Sequence, residues 1–285
     1  MQGFLDKMGA KHTSGDQPVD YYLLDQHLNP LIGHRITLDF TGAIRCQACG
    51  AETRKSYSQG YCYNCFKTLA RCDLCVVSPE RCHFDDGTCR EPDWGEAFCM
   101  QPHLVYIANS SGIKVGITRP DNVPTRWIDQ GAVQAVPALS VDTRQIAGFA
   151  EVAFKSVVSD KTHWQQMLKA EDRHIDIEAV RDDLVGRITE SLTTLRQRFG
   201  ERAIQPVITP PTTIRYPVDR YPTRVVAVSF DKTARIEGVL TGIKGQYLLL
   251  DTGVLNVRRF NGYEVEFHIG ERVAARGAGE TLSLF

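Results

Sequence analysis

No apolar run in the 285-residue sequence approaches the ~20 residues that a helix needs to cross a bilayer. The start, MQGFLDKMGAKH, lacks the apolar core of a signal peptide. These absences predict a cytoplasmic protein without a membrane partner, in a compartment that keeps thiols reduced. Net charge is nearly absent as well. With 33 basic and 34 acidic side chains the balance is −1, so any contact with nucleic acid must come from a local patch. Lysine is scarce: 10 of the basic residues are lysine and 23 are arginine. Arginine suits planar, two-pronged contact with phosphate and is equally common in surface ion pairs.

Cysteine is what the chain does have. All nine fall between Cys46 and Cys99, and an odd number in a reducing compartment points to metal ligands over disulfides. In CQACGAETRKSYSQGYCYNC, Cys46 and Cys49 are followed, twelve residues on, by Cys62 and Cys65. Two residues between cysteines let both thiolates of a tight turn reach one ion, and two such knuckles complete a tetrahedral shell. This predicts a zinc-ribbon-like finger, with iron the lesser alternative. Downstream, Cys72 and Cys75 read as a third knuckle, with Cys82, Cys89 and Cys99 as partners and His83 and His103 as nitrogen alternatives. Five sulfurs for four places leave at least one spare in a mononuclear second site. Closed four-ligand shells leave no open position, so such metals build structure.

The rest of the chain divides around this region. Residues 1–45 read as a β-module, 46–103 as the zinc-binding region and 104–170 as alternating strand and helix. In 171–204, Ile177, Val180, Leu184, Ile188, Leu192, Leu195 and Phe199 recur every three or four positions, predicting one amphipathic helix ended by Gly200. A proline-rich stretch, ITPPTTIRYPVDRYP, reads as an extended linker into the β-rich end of 205–285. The two ends resemble each other (YYLL…LNPLIGHRITLDF against QYLLL…LNVRRFNGYEVEF), so a duplication whose halves pack together is one expectation. The fold class is α+β, a small α/β module with a zinc-ribbon-like region and flanking β-modules.

The stretch HLVYIANSSGIKVGIT predicts a hairpin. With ANSSG as the turn, Tyr106 faces Lys114 and Val105 faces Val115, each pair on one face. Pro124 fits the first turn of a helix, PTRWIDQGA, from which Arg126 and Gln130 project on one side. A strand, AVPALSV, and a helix, TRQIAGFAEVAFKSVV, follow. Ile146, Phe149, Val152 and Ala153 form its expected apolar stripe, with Glu151 to the side.

Hairpin, arginine-bearing helix, strand and glutamate-bearing helix, over roughly residues 104–165, resemble the GIY-YIG nuclease superfamily. VYI matches the first half of the motif and KVGIT the second. Lys114 stands in place of the second tyrosine, as in a phage-associated branch with K-[IV]-G-I-T. With GYCYNC, GTCREPDWG and TRWIDQGA, the pattern also resembles an uncharacterised bacterial family that fuses cysteine knuckles to this module. The resemblance implies phosphodiester hydrolysis. Glu151 would hold Mg²⁺ or Mn²⁺, Arg126 would neutralise charge on the phosphate, and Tyr106 would orient or activate water. Lys114 would depress the phenol's pKa or grip a phosphate.

Arg119, Arg144, Lys155, Lys161, His163 and Trp164 lie near this site in sequence; of these Arg119, Lys155, Lys161, His163 and Trp164 are expected nucleic-acid contacts, Trp164 by stacking on a base. Each residue also has an ordinary explanation: a strand tyrosine, a solvated lysine, an arginine paired with Asp129, an exposed helix glutamate, a tryptophan filling a core gap. Three functions therefore stand open: a metal-dependent nuclease, a nucleic-acid-binding protein that does not cleave, and a regulatory zinc protein. Sequence does not set the oligomeric state or choose DNA over RNA.

Overall fold

A computed structural model describes residues 1–13, 17–158, 164–169 and 173–273. Lys161 and His163 lie outside the described residues. The chain opens with β1 (Gln2–Phe4), β2 (Gly9–Lys11), β3 (Asp20–Leu23), β4 (Gln26–His27) and β5 (His34–Ile44). The cysteine region carries α1 (Tyr63–Thr68), three short 3-10 turns and α2 (Pro92–Phe98). Next come β6 (His103–Asn109), β7 (Ile113–Thr118), α3 (Thr125–Asp129), β8 (Gln134–Val141) and α4 (Arg144–Lys155). After α5 (Trp164–Met167), α6 (Ile177–Arg187) and α7 (Thr189–Phe199) the chain returns to strands. These are β9 (Ile204–Pro206), β10 (Thr212–Thr213), β11 (Arg235–Lys244), β12 (Tyr247–Leu250), β13 (Gly253–Asn256) and β14 (Tyr263–Arg272).

The class is α+β. Strands from the two ends form one sheet in the order β1-β14-β5-β11-β12-β13, with β5 hydrogen-bonded to β14 on one side and β11 on the other. The central sheet runs β10-β8-β6-β7, and β9 joins the outer edge of β8. A third small sheet is β2-β3-β4.

Alternation along β6 sends its side chains into two cores. Val105 and Ile107 pack with Ile146, Phe154, Leu184 and Leu192 of α4, α6 and α7. Tyr106 and Ala108 point the other way, into the core shared with β5, β11 and β14. Both faces are covered, which is why the strand reads as an almost unbroken apolar run. The proline-rich stretch is a strap. Thr212 and Thr213 pair with β8, Ile214 is buried, and the Tyr216 hydroxyl donates to the carbonyl of Ala132 at 2.8 Å.

Three local expectations need correction. The hairpin turn is shorter than ANSSG: Asn109 pairs with Ile113, and Ser111 and Gly112 take positive φ. Tyr106 therefore faces Gly116, and Lys114 faces Ala108. A slip of two residues preserves the faces while changing the partners. The single helix is two, broken at Ile188, whose amide donates to the carbonyls of Val185 and Gly186, to which Thr189 Oγ1 also donates. Ile177, Leu184, Ile188, Leu192 and Leu195 are still buried together. On α4 the buried face is Ile146, Ala147, Gly148, Ala150 and Phe154, while Val152 is exposed. The cause is a loop of the cysteine region packed on the helix. A β-carbon on Gly148 would stand 2.7 Å from the Pro79 side chain, so only small residues fit on that side.

Candidate metal centre and cationic cleft

At the end of β5 a bridge between Arg45 and Glu52 makes the first knuckle, and one between Tyr57 and Tyr61 leads into the second. Gly50 and Gly60, both at positive φ, permit these tight reversals. Cys62 caps α1, its sulfur accepting from the Cys65 amide at 3.5 Å. The ligand atoms of Cys46, Cys49, Cys62 and Cys65 all lie within 4.8 Å of one another. Burial pushes the Cys46 thiol up, but hydrogen bonds from the amides of Cys49, Cys62 and Ala48 outweigh it and bring it down to about 6. Burial and hydrogen bonds to Cys49, Cys62 and Cys46 raise the Cys65 thiol. Four crowded sulfurs with amides aimed at one of them can hold a metal ion, and the donor set suits structural zinc.

The five later cysteines do not form a third knuckle. Asp73 is extended between two 3-10 turns, so Cys72 and Cys75 part company. Cys72 feels the charge of Cys46, whereas Cys75 feels those of Cys82 and Cys89. His103 is buried in β6, with its Nδ1 on the carbonyl oxygen of Gln101 at 2.7 Å. His83 holds Thr88 Oγ1 through Nδ1 at 2.7 Å.

Beside this region lie two hollows. One, of about 540 Å³, is lined by Arg119, Arg126, Arg144 and Arg258, with Glu151 as its acidic member. The other, of about 600 Å³, holds Lys114, Arg71, Gln130 and Trp164. They share Val76, Val77 and Arg258 as walls. Arg126 is carried by α3, whose C-terminal end is tied to the terminal strands. There Asp129 accepts from Lys7 Nζ at 3.1 Å and from Gln246 Nε2 at 2.9 Å. Asp129 is thus engaged by Lys7, in the place where an Arg126 partnership was one expectation. Glu151 pairs with Lys155 at 3.3 Å, one turn along α4. Arg119 lies 4.5 Å over the Phe98 ring. Trp164 does not fill a core gap. It stacks on Tyr247, nearly parallel at 6°, with centroids 5.5 Å apart, and remains 37% exposed.

Tyr106 is wholly buried. Its hydroxyl donates to Gln130 Oε1 at 2.7 Å, and its ring meets Trp127 edge-on at 5.9 Å. Burial raises the phenol pKa, the Arg126 guanidinium opposes the rise, and the Glu151 carboxylate adds to it. The expected activation by Lys114 therefore fails twice: the lysine is not opposite the phenol, and the phenol is driven away from ionising. Arg126 and Glu151 share a hollow, while Lys114 lines the neighbouring one. Arg258 and Arg71 were missed by sequence reasoning: periodicity is read over short windows, and nothing local relates Arg258, in a doublet after β13, to a hairpin some 140 residues earlier. Arg144, near the site in sequence at the start of the glutamate helix, lines the same hollow as Arg126.

A family model described as "Protein of unknown function (DUF2797)" matches residues 33–265. The chain belongs to this DUF2797 family. No curated protein and no solved structure matches it. The DUF2797 match takes in β5, both groups of cysteines and every residue lining the two hollows. Strands β1 to β4 precede it.

Proposed function

We propose that the protein binds nucleic acid through this cationic cleft, on a GIY-YIG-like module held beside a structural zinc at Cys46, Cys49, Cys62 and Cys65. The observation that carries the reading is the charge of the smaller hollow, where four arginines meet one lining carboxylate, Glu151, that already has a lysine partner, and one of the four, Arg119, pairs with Asp121 at 3.4 Å. Arginine forks suit the paired oxygens of successive phosphates. The Trp164–Tyr247 platform beside Lys114 offers a flat apolar face to a base.

Hydrolysis is a second reading, favoured by one observation: Glu151 and Arg126 line the same hollow. A Mg²⁺ ion keeps several waters and needs few carboxylates, so Glu151 would serve as its protein ligand. Against it stands the sealed, protonated Tyr106, which leaves the attacking water without its expected orienter.

Labelled single-strand, duplex and branched DNA and RNA, incubated with the protein and Mg²⁺ or Mn²⁺, separate the readings. Salt-sensitive binding without cleavage, weakened in Arg126→Ala, is the expected result. Cleavage that disappears in Glu151→Ala would establish the second reading. Failure to bind any of these probes overturns both.

A further inference from the structure

We propose that Cys75, Cys82, Cys89 and Cys99 form a second structural zinc site, which fastens the wall of the cleft beneath α4. All four line one small cavity of about 10 Å³, space for a single ion, together with Asp73, His83 and Gly95. Their charges act on one another in every pairing, Cys75 with Cys82 and Cys89, Cys82 with Cys89, and Cys99 with the other three, although the four sulfurs are not gathered within 4.8 Å as those of the first cluster are. Gly95 leaves the room they need, because a β-carbon there would come 3.1 Å from the Cys89 sulfur. Four cysteines brought together from 25 residues of loop and short helix, with little apolar burial to hold them, are the composition that a metal organises.

Asp73 and His83 are the competing donors, since their ligand atoms and the Cys75 sulfur all lie within 4.8 Å of one another; the four thiols are preferred because Asp73 already has partners. Asp73 accepts from Arg90 Nε at 2.6 Å and from the Leu74 amide at 2.5 Å. His83 is held by Thr88 through Nδ1, while its Nε2 lies 3.7 Å from Asp73 Oδ2. Cys72 is the spare sulfur, set apart near Cys46. A zinc tetrathiolate carries a charge of roughly −2, and the buried Arg144 guanidinium lies within reach of Cys99 and Cys75 to offset it.

The site would reach the cleft through α4. The Arg144 amide donates to the Cys99 carbonyl at 2.8 Å, its Nη2 to the Val76 carbonyl at 2.7 Å, and Gln145 Nε2 to the Cys82 carbonyl at 2.8 Å. Between Cys75 and Cys82 run Val76, Val77 and Pro79, all lining the hollow with Arg126 and Glu151. Zinc here would set that wall, and it does so whether or not nucleic acid is the ligand.

Metal content of the full chain, purified without chelator and measured by native mass spectrometry and elemental analysis, tests the proposal. About two zinc ions per chain are expected, against about one if only the first cluster binds. Cys82→Ser and Cys89→Ser should each lose one ion; Cys72→Ser and His83→Ala should keep both. Titrating the wild-type chain with Co²⁺ covers the case of a variant that does not fold. Two equivalents giving sulfur-to-cobalt absorption of four-thiolate type support the site. A single equivalent, a mixed nitrogen–sulfur spectrum at the second, or loss of an ion in Cys72→Ser or His83→Ala overturns it.

Discussion

The Tyr106 hydroxyl, bonded to Gln130 across 24 residues, occupies the space where a β-carbon on Gly116 would lie 2.6 Å from it. The glycine of KVGIT is thus explained by the tyrosine of VYI, which it faces across one hairpin. Gly116→Ala should push a rigid, buried ring off its place and cost about 1–3 kcal/mol, read as a lowered denaturation midpoint. Tyr106→Phe removes the donor that Gln130 faces and should cost about 1 kcal/mol. Because the phenol is sealed, phosphate affinity in that variant should match the wild type; a tenfold loss would put the hydroxyl in the binding site.

The same test of close approach applies where α4 meets the loop of Pro79 and Glu80. Gly148 is a helix interior position, so alanine there gains roughly 1 kcal/mol of helix propensity. It also drives a methyl group into the Pro79–Glu80 backbone, for which no side chain can yield. We expect the clash to win, with Gly148→Ala destabilising the protein by about 1–3 kcal/mol. Chemical denaturation gives the sign. A stabilised variant would mean that the loop moves freely away from the helix.

Much of this arrangement was legible in sequence because it rests on local rules. The spacing of Cys46, Cys49, Cys62 and Cys65 predicted their meeting, and the helix read from TRQIAGFAEVAFKSVV is present as α4, where the Thr143 side chain accepts from the Ile146 amide at 3.3 Å. Register was not legible. The period of a strand fixes faces, and both pairings of Tyr106 satisfy it, so only the turn decides. Nor was the parting of Cys72 from Cys75, which turns on one extended residue, Asp73. Apolar recurrence continued straight through Ile188 because a helix break that keeps the phase leaves the same residues buried. Arg258 enters the cleft only through long-range pairing of the terminal strands, which no window of sequence contains.

Ionic strength offers a direct readout of the arginines. A cation that meets phosphate releases about one counterion, so log K falls more steeply with log salt for each such contact. Arg126→Ala and Arg258→Ala should each lower the magnitude of that slope by about one and weaken binding equally across sequences. Arg235→Ala, at a surface ion pair with Asp39 on β5, should leave the slope unchanged. Equal slopes in all three variants would remove the cleft from the interface.

His103 sets an acid limit on stability. Burial lowers its pKa from 6.5 to about 4, the carbonyl of Gln101 opposes this, and the nearby Arg144 and Arg119 add to it. The unfolded chain therefore takes up a proton near pH ~6.5 that the folded chain refuses. Above that pH both forms are neutral and the histidine costs nothing. As pH falls from about 6.5 to about 4, stability is lost progressively, up to roughly 3 kcal/mol at the lower end. Replacement by glutamine removes the titration but keeps a polar group near Gln101. Denaturant unfolding of both proteins at pH 7 and at pH 4.5, with equal zinc content, isolates the effect. The wild type should lose more stability than His103→Gln over this interval, and parallel losses would show that the imidazole reaches water in the folded state.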